Sequence, residues 1–233
     1  MRVLMARNQF LRSLPAADAA RLAPHLELVR LEKPQVLFRA REPLRLIHFP
    51  LGAVISLVVR LESGQALEVG LVGRDGIAET AVFPGIASIS CDGVLQIPGE
   101  ALRISADFFR RTMQAHESLC CAAARYAQLV LVRSMQMAAC NVFHSVEQRC
   151  VRWLLTMHDL TGEPELPLTQ ELAATMLGVR RPTMTAVLGA LRRTGLVREA
   201  RGRLRILDRE RMERAACECY RVMRDDQRRL LAY

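Results

Sequence analysis

Between residues 25 and 104 the apolar positions fall in short alternating or unbroken runs, at 26–31, 36–38, 46–49, 54–61, 66–72 and 93–97. Residues that end strands and make turns separate them: Lys33-Pro34, Glu42-Pro43, Ser63-Gly64, the stretch 73–76 and Pro98-Gly99. A period near two with punctuation this dense predicts many short strands, which close best as a small barrel or roll. Ahead of them Leu11, Leu14, Ala19 and Leu22 follow a helical spacing and are expected to pack on one end of the roll.

The period changes at Ser105. No proline or glycine occurs from there to Gly162, which permits one very long helix or two in succession. Ser105 suits an N-cap, and Asp107 suits the positive end of the helix dipole. Phe109, Met113, His116, Cys120, Ala123, Ala127, Val130, Ser134 and Met137 lie near heptad spacing. That stripe fits either self-association of the helix or cover for the roll. A second helix over 143–160 puts Val146, Cys150, Trp153, Leu154 and Met157 on one side. The expected class is α+β, with a β-roll domain of effector type over 1–104, a dimerisation helix over 105–140 and a further domain over 141–233.

Residues 168–207 carry the most specific pattern. Thr169 can cap a short helix whose first turn holds Glu171, Ala174 supplies a small contact, and Gly178, four residues on, supplies a tight turn. Ala173, Leu177, Val179, Met184 and Val187 then face a shared core. A second helix starts near Arg180 to Pro182, where proline loses no intrahelical bond, and ends at Thr194-Gly195 with Arg192 and Arg193 in its last turn. Residues 196–200 and 203–207 read as two strands around Arg201-Gly202, a hairpin bearing Arg198, Arg201, Arg203 and Arg205. Helix, turn, helix and basic hairpin together predict a winged helix-turn-helix. The competing reading is a helical hairpin with a solvated basic loop.

Charge changes the picture only through its placement. The 233 residues carry a formal charge of +9 with Lys33 as the single lysine; that excess suits nucleic acid or an anionic membrane surface alike. The longest apolar runs, such as 51–59, are too short to span a bilayer, and the N-terminus lacks a signal-peptide pattern, so a cytoplasmic protein without membrane partners is expected. Concentrated on the motif, the arginines predict docking on a duplex. Arg180 and Arg181 would reach base edges with Thr185 beside them, while Thr169, Gln170, Thr183, Arg198, Arg201 and Arg203 would hold the sugar-phosphate backbone. The alternative is a ligand-binding signalling module whose basic domain contacts protein or RNA.

The stretches Leu168-Thr169-Gln170-Glu171-Leu172-Ala173 and Leu177-Gly178-Val179-Arg180-Arg181-Pro182-Thr183-Met184-Thr185, behind a β-roll and a long helix, resemble the Crp/Fnr family of transcription regulators over nearly the whole chain. The resemblance implies a homodimer on a two-fold operator, an N-terminal jelly roll of the cyclic-nucleotide-binding kind, and promoter control with RNA polymerase as a further partner. It departs from the family where Pro182 and Ala186 replace the usual glutamate and second arginine, which implies a different operator; only Arg181 matches. In the effector domain Gly76, Glu79 and Ser90 mark the position of the nucleotide pocket, but the stretch Ala87-Ser88-Ile89-Ser90-Cys91 offers no arginine for a cyclic phosphate. The first cysteine is Cys91, so the N-terminal cysteine group of the oxygen-sensing branch is missing, and His48, His116 and His144 show no spacing of haem ligands.

Seven cysteines at irregular spacings suit reduced thiols rather than a disulfide framework. Cys120-Cys121 and Cys217-Glu218-Cys219 are expected to be packing residues or, failing that, a redox or metal sensor. On a helix adjacent residues diverge by about 100° and alternate ones face opposite sides, so neither pair makes a site alone. No metal and no cofactor are expected. The tail over 208–233 reads as one helix, capped by Asp208, with Met212, Ala215, Ala216, Cys219, Val222 and Met223 inward. The sequence holds no nucleophile elbow, phosphate loop or zinc-protease helix, and an enzyme is not expected.

Overall fold

The computed structural model describes residues 1–32, 35–80, 82 and 86–231; the expected turn at Lys33-Pro34 and the last two residues of the expected tail helix lie outside them. Three short helices, α1 (Arg2–Met5), α2 (Gln9–Ser13) and α3 (Ala16–Leu22), lead into seven strands. These are β1 (Glu27–Leu31), β2 (Val36–Phe38), β3 (Leu46–Pro50), β4 (Val54–Arg60), β5 (Ala66–Val72), β6 (Asp92–Ile97) and β7 (Gly99–Ser105). They pair antiparallel as two sheets, ordered β1-β7-β3 and β2-β6-β4-β5. Ile47 and Phe49 of β3 and Leu102 and Ile104 of β7 are buried, and His48 between the first two is buried as well.

Aromatic rings fill the roll. Phe10 lies 6.1 Å from Phe49 and 5.8 Å from Tyr126, and Phe109 meets Phe49 edge-on at 5.8 Å. Tyr126 comes from the long helix, so the roll and that helix share one core.

After the roll come α4 (Ala106–Ala115) and α5 (Glu117–Phe143). Ser105 caps α4 by accepting from Phe108 N. The helix divides at His116, whose backbone is extended at φ −135°, ψ 104°. The heptad stripe is corrected by burial. Phe109, Met113 and Ala123 are buried, and Cys120, Ala127, Val130, Ser134 and Met137 half-buried, because this face covers the roll and meets the C-terminal helix. The bare face is a neighbouring one, with Leu131, Met135, Val142 and Phe143 exposed.

Next are α6 (Val146–Thr161), β8 (Glu165–Pro167), α7 (Gln170–Met176), α8 (Arg181–Arg193), β9 (Val197–Ala200), β10 (Arg203–Ile206), α9 (Arg209–Ala215) and α10 (Cys219–Leu231). A capping box between Ser145 and Gln148 starts α6, and Gly162 in the left-handed region at φ 72° stops it. The sequence reading did not single out β8, which pairs with β10 to make the wing three-stranded. Nor is the tail one helix. Ala216 is extended at φ −72°, ψ 154°, because α9 packs on α6 while α10 packs back along α5. No helix among the described residues is long and apolar enough to cross a membrane.

The second core is shared between domains: Trp153, Leu154 and Met157 of α6 join Val54 and Val58 of β4 and Ile97 of β6. At this seam the Trp153 indole donates to the buried Glu68 carboxyl at 2.9 Å, and the Ser56 hydroxyl donates to it at 2.8 Å. Burial pushes the Glu68 pKa up to about 8 against the pull of those two donors and of Arg152. The folded state therefore holds this proton more tightly than the unfolded chain. Its contribution is complete below the ordinary carboxyl range and is lost as pH climbs through about 8. Melting temperature should fall from pH 5 to pH 9 in the native chain and fall less in Glu68→Gln; equal slopes would remove Glu68 as the cause.

Candidate nucleic-acid interface

Local chemistry fixes the helix-turn-helix. The Thr169 hydroxyl accepts from Leu172 N at 3.2 Å and starts α7. The helix ends in a Schellman turn: Val179 N–H donates to Ala174 O at 2.9 Å and Gly178 N–H to Thr175 O at 3.2 Å, with Gly178 at φ +64°. The same device ends α8, where Leu196 N–H donates to Leu191 O and Gly195 N–H to Arg192 O, both at 3.0 Å. Ala173, Ala174, Leu177 and Met184 are buried as expected, and Val179 and Val187 are half-buried.

This arrangement aims the leading turn of α8 outward. Arg180 holds the N-cap position, Pro182 stands in the first turn, and Arg180, Arg181, Thr183 and Thr185 are all exposed. Two of the expected contact residues, Thr185 and Gln170, already have partners. The Thr185 hydroxyl donates to Gln170 Oε1 at 2.7 Å, and the Gln170 amide donates to Glu199 at 3.2 Å. Arg192 lies 3.7 Å from the same carboxylate. Glu199, on β9, escaped the sequence reading, because only the folded wing brings it to α7 and α8.

On the wing Arg198, Arg201, Arg203 and Arg205 are exposed, and Arg203 stands 3.8 Å from Glu165 of β8. The hairpin turns through Arg201 at φ +50° and Gly202 at φ +72°. A left-handed backbone costs a residue with a side chain about 1–2 kcal/mol, and the tip holds an arginine there nonetheless.

Two of the three residues expected at an effector pocket, Gly76 and Glu79, lie against other side chains. Glu79 is buried and taken up by His48, accepting from its backbone N–H at 2.6 Å and meeting its ring at 2.7 Å. A Cβ on Gly76 would fall 2.0 Å from the Tyr126 ring, and Ser90 is exposed. Tyr126 reaches across from α5 and fills the space, a placement that strand patterning does not register.

The paired cysteines behave differently from expectation. Because the tail breaks at Ala216, Cys217 and Cys219 are not on opposite sides of one helix. They converge with Cys140 and His144 of the α5 end, and the four donor atoms lie within 4.8 Å of one another. A group of donors that could hold an ion is thus brought together here, where the sequence suggested none.

Residues 148–215 match the Crp-like helix-turn-helix domain. This stretch of the chain is therefore a Crp-like helix-turn-helix domain. Solved structures with the same fold include three from bacteria. The c-di-GMP-responsive global regulator CLP of Xanthomonas campestris is 20% identical with a TM-score of 0.63, over 83% of this chain and 100% of that one. A Crp/Fnr-family regulator of Eubacterium rectale is 17% identical with a TM-score of 0.64, over 90% and 98%. FixK2 of Bradyrhizobium japonicum is 12% identical with a TM-score of 0.65, over 82% and 98%. No curated protein matches the chain in sequence.

The turn of this Crp-like helix-turn-helix also docks on the roll, since a Cβ on Gly178 would lie 2.8 Å from the Leu67 side chain of β5. Gly178→Ala should therefore lower stability by about 1–2 kcal/mol through backbone strain, read by chemical denaturation. An unchanged midpoint would refute the assignment of the turn.

Proposed function

We propose that the chain binds a two-fold DNA operator as a homodimer and controls transcription in the cytoplasm by binding rather than catalysis. The observation that carries this reading is the exposed leading turn of α8, with Arg180 and Arg181 standing clear of the core. Arginine matches guanine O6 and N7 in the major groove. Thr185 joins them at the base edges once its bond to Gln170 opens; Thr169, Gln170, Thr183 and the wing arginines Arg198, Arg201 and Arg203 hold phosphates. Arg201 keeps its strained backbone where the wing tip would meet the duplex.

The bare face of α5 supports the dimer. Cys121, Ala124, Gln128, Leu131, Met135, Ala138 and Val142 are exposed and recur at alternating steps of three and four residues, the spacing of a coiled-coil seam. Two copies joined along it would present two recognition helices to a palindrome. RNA polymerase is the natural further partner of such a dimer at a promoter.

Selection from a random duplex pool should return a two-fold motif. On it Arg181→Ala should cost roughly 1–3 kcal/mol, while Arg203→Ala weakens all sequences about equally and reduces the salt slope. Unchanged operator affinity in Arg181→Ala would overturn the base-reading role. The double change Leu131→Glu with Met135→Glu should give a monomer in sedimentation that retains its fold and loses operator affinity. A dimer persisting in that variant would place the interface elsewhere.

A further inference from the structure

The structure assigns a single-ion metal site of the zinc class to Cys140, His144, Cys217 and Cys219, built where the end of α5 meets the link between α9 and α10. Cys140 sits in the last turn of α5 and His144 is the extended C-cap that ends it (φ −111°, ψ 146°), its backbone N–H donating to Cys140 O at 3.2 Å. Cys217 and Cys219 enter from the break between α9 and α10. Cys140 Sγ lies 3.6 Å from Cys217 Sγ, and Cys219 Sγ lies 3.6 Å from His144 Nδ1. Tetrahedral zinc, with metal–sulfur bonds of about 2.3 Å and metal–nitrogen bonds of about 2.0 Å, sets its donors about 3.5–3.8 Å apart. The widest separation, up to 4.8 Å, closes by a side-chain adjustment.

The surroundings are those of a ligand set. His144 presents Nδ1 to the thiols while its Nε2 stands 3.1 Å from the Glu218 carboxylate, the partnership that fixes the ring of a metal-bound histidine. The Gln136 amide donates to Cys219 Sγ at 3.1 Å. The three cysteines are buried and His144 is half-buried. Arg152, 3% exposed, acts electrostatically on Cys140, and its Nε has no hydrogen-bond partner among the described residues.

Charge supplies a second, independent argument. A divalent ion with three thiolates and a neutral imidazole carries one net negative charge, and a buried guanidinium beside it carries one positive. Arg152 otherwise faces Glu68, whose carboxyl burial tends to keep neutral, and an uncompensated buried cation is costly. Three sulfurs and one imidazole select a soft or borderline ion over magnesium or calcium. An iron–sulfur cluster would spread its ligands over two or more irons, whereas these four donors lie within 4.8 Å of one another. A Cys140–Cys217 disulfide would leave Cys219, His144 and Glu218 without a task.

An ion here staples the long helix to the segment that leaves the winged domain. Occupancy would thus fix where the recognition helix stands, which makes the ion a candidate effector; this step alone rests on the DNA-binding reading above.

The full chain, reduced and stripped with a chelator, should take up one Zn2+ per chain. With Co2+ it should give the strong visible bands of a tetrahedral site together with thiolate-to-cobalt charge transfer. Cys217→Ser should abolish that spectrum. Since a buried cysteine change can also disturb folding, Glu218→Gln, at an exposed carboxylate, is the second variant. It should keep the stoichiometry at one and weaken affinity about 10–100-fold in competition with a chromophoric chelator. Cys120→Ser should change nothing. Substoichiometric zinc, an octahedral cobalt spectrum, or a Cys140–Cys217 disulfide that forms in place of metal uptake would overturn the site. Operator affinity that differs between stripped and zinc-loaded chain supports the effector role, and equal affinity overturns it. A chain that binds no duplex in either form refutes the DNA-binding reading and leaves the metal titration to judge the site.

Discussion

The leading helices, the roll and the C-terminal helix all meet α5. One helix of 27 residues must cover the open side of the roll, receive α10 and still leave a face bare. Each demand claims a sector of its circumference. Leu119, Ala123, Tyr126 and Leu129 are buried in the roll's core, Arg133 ties Asp75 at 2.5 Å to Gln227 of α10 at 2.7 Å, and the sector through Leu131 and Met135 is left to solvent. A helix used on three sides has little amphipathic contrast, which is why its sequence looks apolar throughout rather than striped.

The contact between roll and winged domain is polar at its centre. Glu68, Ser56 and Trp153 form a buried hydrogen-bonded group, and Arg152, the residue before Trp153, acts on both Glu68 and Cys140. Burying such groups is costly unless all are satisfied. The seam is consequently sensitive to any change of charge at either end.

Much of the helix-turn-helix was legible. Schellman turns are written locally, in Gly178 and Gly195 after helical runs, and the wing strands and their Arg201-Gly202 turn follow from neighbours in sequence. The outward placement of Arg180 and Arg181 follows from Pro182 and the buried Met184. What escaped notice there, Glu199 bridging α7 and α8, depends on the wing folding back onto the helices.

The sequence by itself determined most of the elements and the chemistry of the turn that opens α8, because caps, turns and periodicities act over a few residues. Only the tertiary structure decided which face of α5 is bare, that Tyr126 fills the space above Gly76, and that the tail breaks at Ala216. The same holds for the cysteine group. Cys140 and Cys217 are separated by 77 positions and stand 3.6 Å apart. Their convergence arises from α9 and α10 packing against different partners, a long-range competition for burial that no local pattern encodes.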